Sequence, residues 1–244
     1  MLDRQVRALL APPLRIGGSR LAGLGVPPLG LTALGWLLGI GACVAVGFGA
    51  WTLALVLWLA NRLADGLDGP VARAGAPTDL GGFLDIVADF SIYGGFLVGL
   101  AIALPSARLA ALVLLAMYYV SGTAFLALSS LFERRKLALG DERSLRFVGG
   151  LAEGTETVLV YVAICLFPGQ AAAICWGFAA AVALTALQRV WFGIRVLQQP
   201  EDAVRRRVRH GFSRSEVVLA RVGARRTWSS RAKRTQNSTL EETT

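Results

Sequence analysis

The chain has 244 residues, of which 55% are hydrophobic and 17% are charged, and its mean hydropathy is +0.56. Polar surface cannot cover so much apolar material in a soluble domain, so the composition predicts an integral membrane protein and excludes a soluble globular one. The formal net charge of +9 suits anionic lipid headgroups or nucleic acid equally, and the long hydrophobic segments favour lipid. We therefore expect membrane lipids as partners and no nucleic acid.

The N-terminal segment predicts a helix on the membrane surface. Apolar residues recur at helical spacing within residues 2–11, opposite a charged face, which is typical of an amphipathic interfacial helix. We expect Pro12 and Pro13 to end this helix, because proline lacks the backbone N–H and crowds the preceding turn. The segment has neither an uninterrupted apolar core nor a cleavage site, so no secretory signal peptide is expected.

The hydrophobic segments predict an all-α polytopic bundle of six transmembrane helices, since crossing the hydrocarbon core takes about 20 apolar residues. The predicted spans lie near residues 30–48, 51–72, 82–104, 107–131, 150–168 and 170–197. Three regions follow from this pattern. They are the interfacial helix with its lead-in (1–29), the six-helix membrane domain (30–198) and a basic, largely disordered cytoplasmic tail (199–244).

The positions of Lys and Arg predict the orientation, because cytoplasmic loops carry the excess of these residues. Arginines precede the first span, occur as Arg62 and Arg73 around the loop after the second, and fill both the loop after the fourth and the tail. The turns on the opposite side carry almost nothing beyond Arg108. Both termini and the facing ends of spans two and three are therefore predicted to be cytoplasmic, in a bacterial-type inner membrane.

Four aspartates occur where these two spans face the cytoplasm. They are Asp65, Asp68, Asp85 and Asp89. Helix positions three or four apart share a face, so two carboxylate pairs project from two adjacent antiparallel helices. Converging carboxylates repel one another in a low dielectric unless cations lie among them. Oxygen ligands without His or Cys favour Mg²⁺, Mn²⁺ or Ca²⁺ over zinc, and two such ions about 4 Å apart can clamp a phosphoryl group.

The same segment has room and positive charge for a phosphate ligand. Glycines such as Gly66 and Gly69 allow close approach to the backbone, and Arg73 offers a fork of donors. Together these features predict transfer of a phosphoryl-linked group at the membrane surface. Two other classes stay open from the residues alone: a divalent-cation transporter, whose site would be expected near the bilayer midplane, and an inactive membrane scaffold.

The stretch DGLDGPVARAGAPTDLGGFLDIVAD resembles the signature of the CDP-alcohol phosphatidyltransferase family. That signature reads D-x-x-D-G-x-x-A-R, then G-x-x-x-D-x-x-x-D, and all eight fixed positions are matched between Asp65 and Asp89. A Leu-Thr pair that family members often carry is also present as Leu31-Thr32, without the asparagine that usually precedes it. The resemblance covers roughly residues 1–200 and implies a six-span homodimer with an amphipathic N-terminal helix.

The resemblance also implies the reaction and its residues. A CDP-activated lipid, CDP-diacylglycerol, donates a phosphatidyl group to a small alcohol and CMP is released, with Mg²⁺ or Mn²⁺, as two ions, in the site. The implied metal ligands are Asp65, Asp68, Asp85 and Asp89. Asp89 is in addition the expected general base for the acceptor hydroxyl. The implied contacts of the CDP moiety are Gly66, Gly69 and Arg73.

The acceptor alcohol stays open among glycerol 3-phosphate, an inositol phosphate, serine and other alcohols. An arginine within a span usually has a partner or ligand, so Arg189 and Arg195, with Arg134 from the loop, favour a phosphorylated acceptor, glycerol 3-phosphate first. Glu153 and Glu156 favour an amine-bearing acceptor such as serine, or simply pair with loop arginines.

Overall fold

The computed structural model describes residues 2–75, 77–134 and 154–198, with side chains from Leu9 onward. Within these ranges the regular structure is entirely helical, which confirms the all-α prediction. The helices are α1 (Leu2–Gly23), α2 (Pro28–Gly47), α3 (Trp51–Ala74), α4 (Asp79–Ala103), α5 (Arg108–Arg134), α6 (Gly154–Leu166) and α7 (Ala171–Leu197). A 3₁₀ turn, Pro168–Gln170, joins α6 to α7.

Four helical segments of the described chain are long and apolar enough to cross a membrane. They are α2, α4, α5 and Pro168–Leu197, which contains α7. Helix α3 has 24 residues but carries several charged side chains in its C-terminal half, and α6 is described over 13 residues. A membrane bundle is thus confirmed, whereas six spans and a surface location for α1 stay predictions.

The turn between α3 and α4 is short, and the motif aspartates lie on the two helices that it connects. Helix α3 continues to Ala74 and α4 starts at Asp79, so the connection is shorter than the polar break in the sequence suggested. Thr78 caps α4, because its Oγ1 accepts a hydrogen bond from the backbone N–H of Gly81 at 3.1 Å. The carboxylates therefore project from regular helix rather than from a loop.

Helix α1 does not end at its prolines. It continues through Pro12 and Pro13 to Gly23, so the predicted end near residue 11 is wrong. A proline inside a helix costs about 3 kcal/mol, because one backbone hydrogen bond is lost and the ring crowds the previous turn. Packing beyond the prolines offsets that cost: Gly18 lies directly against Pro70 of α3, where a side chain on Gly18 would collide.

The chain divides into two compact units. The first comprises Met1–Leu128 and Val148–Gly193, and the second comprises Ser129–Phe147 and Ile194–Thr244. The first unit contains α1 to α4, α6 and most of α5 and α7. The described part of the second unit consists of the C-terminal turns of α5 and α7. The boundaries predicted for the lead-in and the tail stay predictions.

Within the first unit, α2 packs against both α3 and α4, and α3 also contacts α1 and α6. Trp58 is fully buried, with its ring centroid 5.0 Å from that of Tyr161. Helices α2 and α4 approach so closely that a Cβ on Gly99 would lie 2.5 Å from the carbonyl oxygen of Cys43. Small residues at helix contacts allow such approach in membranes. This packing holds the aspartate-bearing parts of α3 and α4 beside α2.

Candidate metal and nucleotide site

Three of the four motif aspartates come together. One carboxylate oxygen from each of Asp65, Asp68 and Asp85 lies within 4.8 Å of the other two. Two of these side chains come from α3 and one from α4, and all are partly or largely shielded from solvent. Hard oxygen ligands at this separation fit Mg²⁺ or Mn²⁺. We call this group the three-carboxylate cluster.

A cavity between α2, α3 and α4 contains the cluster and the fourth aspartate. Its lining residues are Thr32, Gly35, Trp36, Asn61, Asp65, Asp68, Asp85, Ala88, Asp89 and Ile92. Helix α2 therefore contributes the Thr32 hydroxyl and the Trp36 ring to the wall, whereas the wall is strongly acidic where α3 and α4 meet. An arrangement of this kind attracts cations and disfavours an unscreened anionic ligand.

Asp89 is at the same cavity but has a different partner. Its Oδ1 accepts a hydrogen bond from Arg62 Nη2 at 3.0 Å, in an ion pair that joins α4 to α3. The other terminal nitrogen of Arg62, Nη1, lies 3.4 Å from Asp65 Oδ2. One guanidinium thus bridges a cluster carboxylate and the carboxylate that was predicted as the general base.

The Arg62 side chain is fixed from several sides. It is 10% exposed, its Nε donates to Asn61 Oδ1 at 2.7 Å, and its Nη1 donates to the Tyr93 hydroxyl at 2.9 Å. The guanidinium carbon lies 4.8 Å from the Trp58 ring centroid, in cation–π geometry. A guanidinium held by this many contacts has little freedom to choose other partners.

Sequence reasoning missed this role of Arg62. It treated Arg62 as a charge beside the cytoplasmic loop, whereas the structure places it well inside α3. Two signals could have found the pair: Arg62 is three residues before Asp65 on one helix face, and an arginine within a span usually has a partner.

Helix α2 supplies polar support to the cluster. The Thr32 hydroxyl donates to Asp68 Oδ2 at 3.1 Å, and the Asn61 side-chain amide donates to the Gly35 carbonyl at 2.7 Å. Thr32 is the threonine of the Leu-Thr pair noted in the sequence. The hydroxyl orients one carboxylate of the cluster, and the amide ties α3 to α2 directly beside it.

The residues predicted to contact CDP lie along α3, outside the lining of this cavity. Arg73 is exposed, and a Cβ on Gly69 would be 3.2 Å from Arg73 Nη1, so the guanidinium lies over that glycine. Gly66 faces α1, where a Cβ would be 3.2 Å from Leu14 Cδ1. Gly69 and Arg73 are therefore neighbours, whereas Gly66 lets α1 pack closely against α3. Contact of these three residues with the nucleotide stays a prediction.

The predicted acceptor residues fall in different parts of the chain. Arg189 of α7 donates to the Ser121 hydroxyl at 2.8 Å and to its backbone carbonyl at 3.1 Å. Its guanidinium carbon also lies 5.0 Å from the ring centroid of Phe125. This half-buried arginine is thus held in place by α5, with its charge inside the helical bundle.

Glu156 is half-buried in the first turn of α6. Arg134 and Arg195 belong to the second unit, and Glu153 lies outside the described residues. The acceptor role of these four residues stays a prediction.

A model of the CDP-alcohol phosphatidyltransferase family matches residues 26–192, which is more than half of the chain. The chain belongs to this family. The resemblance inferred from the aspartate motif is thereby confirmed, and the chain is an integral membrane transferase of phospholipid biosynthesis. A divalent-cation transporter and an inactive scaffold, the alternatives from other classes, are not favoured.

Three named proteins are similar to this chain. Inner membrane protein YnjF of Escherichia coli K12 is 39% identical over 201 residues, 81% of this chain and 98% of that protein. Archaetidylinositol phosphate synthase of Pyrococcus horikoshii is 29% identical over 165 residues, 67% of this chain and 81% of that protein. The crystal structure of Mycobacterium tuberculosis phosphatidylinositol phosphate synthase (PgsA1), in complex with manganese and citrate, shares the fold with a TM-score of 0.60 at 21% identity, covering 74% of this chain and 88% of that one.

The cofactor prediction is confirmed by the family together with the site. The family depends on divalent metal, and the three-carboxylate cluster has the donor atoms and the separation that Mg²⁺ or Mn²⁺ requires. The number of ions and the individual ligands stay predictions.

Proposed function

We propose that this chain transfers a phosphatidyl group from CDP-diacylglycerol to a phosphorylated small alcohol and releases CMP. The observation that carries the proposal is the three-carboxylate cluster, formed by motif aspartates from two helices, with the fourth motif aspartate at the same cavity. A purely structural set of aspartates would have no reason to converge at this spacing, because mutual repulsion would separate them.

The proposed mechanism assigns distinct tasks to the four aspartates. Asp65, Asp68 and Asp85 hold one or two divalent ions, and Asp89 is available as a further ligand. When bound, the metal neutralises charge on the donor diphosphate. Asp89 accepts the proton of the acceptor hydroxyl as general base. The acceptor oxygen forms a bond to the lipid-bearing phosphorus, the bond from that phosphorus to the phosphate oxygen of CMP breaks, and CMP leaves.

The donor nucleotide is proposed to bind along the C-terminal part of α3. Arg73 is exposed there and offers several donors to a phosphate, while Gly69 leaves room for its guanidinium. Gly66, whose missing side chain also lets α1 pack closely, is the third residue proposed for this pocket.

We propose an inositol phosphate as acceptor, ahead of the glycerol 3-phosphate that the sequence favoured. Two relatives, from Pyrococcus and Mycobacterium, are named as synthases of inositol phosphate lipids. Both acceptors carry a phosphate, and Arg189, Arg134 and Arg195 are the cations proposed to bind it. Glycerol 3-phosphate stays as the second candidate because the same cations suit it.

The proposed setting is a bacterial inner membrane, as the name of the YnjF relative supports. We propose six spans with α1 at the interface, both termini and the site in the cytoplasm, and a homodimer. Residues 199–244 are proposed to form a separate basic tail.

The test is CMP release by purified protein with CDP-diacylglycerol and Mn²⁺. Acceptors are inositol 1-phosphate, glycerol 3-phosphate, inositol and serine, and the lipid product is identified by mass spectrometry. Asp68→Asn serves as the inactive control. Release that depends on inositol 1-phosphate is expected. CMP release with glycerol 3-phosphate alone, or with serine alone, would identify that alcohol as the acceptor in place of an inositol phosphate. Folded protein that releases no CMP with any of these acceptors would refute the proposed reaction.

A further inference from the structure

We infer that Arg62 is a positioning residue for the transfer reaction: it orients Asp89 as the base and competes with the metal for Asp65 and Asp89. The part that concerns the base rests on the proposed function. The competition with the metal rests only on the contacts of Arg62 with Asp65 and Asp89.

The two terminal nitrogens of Arg62 contact carboxylates on two different helices. Arg62 Nη2 is 3.0 Å from Asp89 Oδ1 on α4, and Nη1 is 3.4 Å from Asp65 Oδ2 on its own helix. A planar guanidinium presents its two terminal nitrogens at a fixed angle, which restricts where the contacted oxygen of each carboxylate can lie. Asp89 is therefore held in one orientation by a group that is itself locked in place.

Three neighbouring side chains hold the Arg62 guanidinium in place. Tyr93 accepts from its Nη1 at 2.9 Å, Asn61 accepts from its Nε at 2.7 Å, and the Trp58 ring lies beneath the guanidinium. Trp58 belongs to the buried core and the partly buried Tyr93 packs against it, with the two ring centroids 6.0 Å apart. The position of the base is thus tied to the packed core of the bundle.

The positive charge of Arg62 lies beside carboxylates that would also attract a metal ion. The four aspartates line one cavity, and the Arg62 guanidinium contacts two of them, Asp65 and Asp89. Through Asp65 its positive charge lies beside the three-carboxylate cluster. A fixed positive charge beside a divalent ion opposes its binding, and a partner for Asp89 keeps that carboxylate from turning towards the ion. Removing the charge should therefore strengthen metal binding while it impairs the chemistry.

The Arg62→Gln variant is expected to bind Mn²⁺ more tightly and to turn over more slowly. We expect the Mn²⁺ dissociation constant, measured without substrates from the paramagnetic resonance signal of free Mn²⁺, to fall by about threefold or more. At saturating Mn²⁺ we expect kcat to fall by about tenfold or more, because a misoriented base loses part of the usual general-base contribution. The KM for CDP-diacylglycerol should stay within about twofold of the original value, since the proposed nucleotide contacts are further along α3.

Two companion variants complete the design. Arg62→Lys keeps the charge but not the fork, so its Mn²⁺ affinity should match the original protein while its kcat still falls. Arg108→Gln is the matched control, because Arg108 is exposed at the start of α5, donates from Nε to the Ala101 carbonyl and is outside the site. It should change neither quantity. Thermal unfolding in the same detergent checks that each variant is folded.

The outcomes separate the possibilities. Weaker Mn²⁺ binding in folded Arg62→Gln would overturn the inference, because it is the result expected if Arg62 only supports the structure of the site. Unchanged kcat would also overturn it, because the base would then not depend on Arg62 for its orientation. If the glutamine variant does not fold, the lysine variant decides: full kcat in Arg62→Lys overturns the inference, and reduced kcat with unchanged Mn²⁺ affinity supports it. If the unmodified protein releases no CMP, the proposed function fails, and the Mn²⁺ measurements still decide whether Arg62 competes with the metal.

Discussion

Replacing Gly99 by alanine tests the close approach of α2 and α4 that positions the site. The added Cβ would lie 2.5 Å from the Cys43 carbonyl oxygen and 3.2 Å from the Gly47 nitrogen. Both are backbone atoms, so no side-chain rotation relieves the clash, and the helices must separate. Overpacking costs about 1–3 kcal/mol, and a clash with backbone atoms that cannot rotate away is expected in the upper part of that range, at about 2–3 kcal/mol. The higher helix propensity of alanine returns about 1 kcal/mol. We therefore expect a net loss of about 1–2 kcal/mol in the free energy of unfolding.

The measurement is thermal unfolding of Gly99→Ala and of Gly177→Ala in the same detergent. Gly177 is a helical glycine with nothing within 4 Å of an added Cβ, so the control should be unchanged or slightly stabilised. The loss at Gly99 should lower Tm by about 2–8 °C, because about 2–4 °C per kcal/mol is typical of chains this long. Equal Tm values for the two variants would refute the argument that backbone contact at Gly99 sets the helix separation.

Three further changes test the site. Asp85→Asn should raise the Mn²⁺ dissociation constant by about tenfold or more, because one of three clustered carboxylates is lost; unchanged Mn²⁺ affinity would contradict the cluster as a metal site. Asp89→Asn should reduce kcat by about 10²–10⁴-fold while metal and donor still bind, and retained turnover would remove Asp89 as the base. Gly69→Val should raise the KM for CDP-diacylglycerol with little change in Tm, since only the mobile end of Arg73 lies near the new side chain; an unchanged KM would place the nucleotide elsewhere.

The class of the molecule and much of its local structure were predictable from the chain itself. Long apolar segments form helices in lipid because every backbone polar group must be satisfied within its own segment. The spacing of Asp65 and Asp68, and of Asp85 and Asp89, places each pair on one helix face. The convergence of Asp65, Asp68 and Asp85 was therefore predictable, as was the family from the motif that they form.

Local rules failed where distant contacts outweigh them. Proline is a helix breaker by its own chemistry, yet α1 continues through Pro12 and Pro13 because Gly18 packs on Pro70 much further along the chain. Propensity is a sum of small local terms, and a tertiary contact can outweigh it. The sequence pattern alone carried no sign of that contact.

The sequence by itself determined that the chain forms long apolar helices, and it determined the order of the motif and the kind of ligand atoms that the site offers, since these depend on hydropathy and spacing along one chain. Only the tertiary structure decided that Arg62 pairs with Asp89, 27 positions later in the sequence, and that Thr32 donates to Asp68 from a third helix. The physical reason is that such pairings depend on how helices pack, and packing is set by contacts such as Gly99 against Cys43 that are distant in sequence.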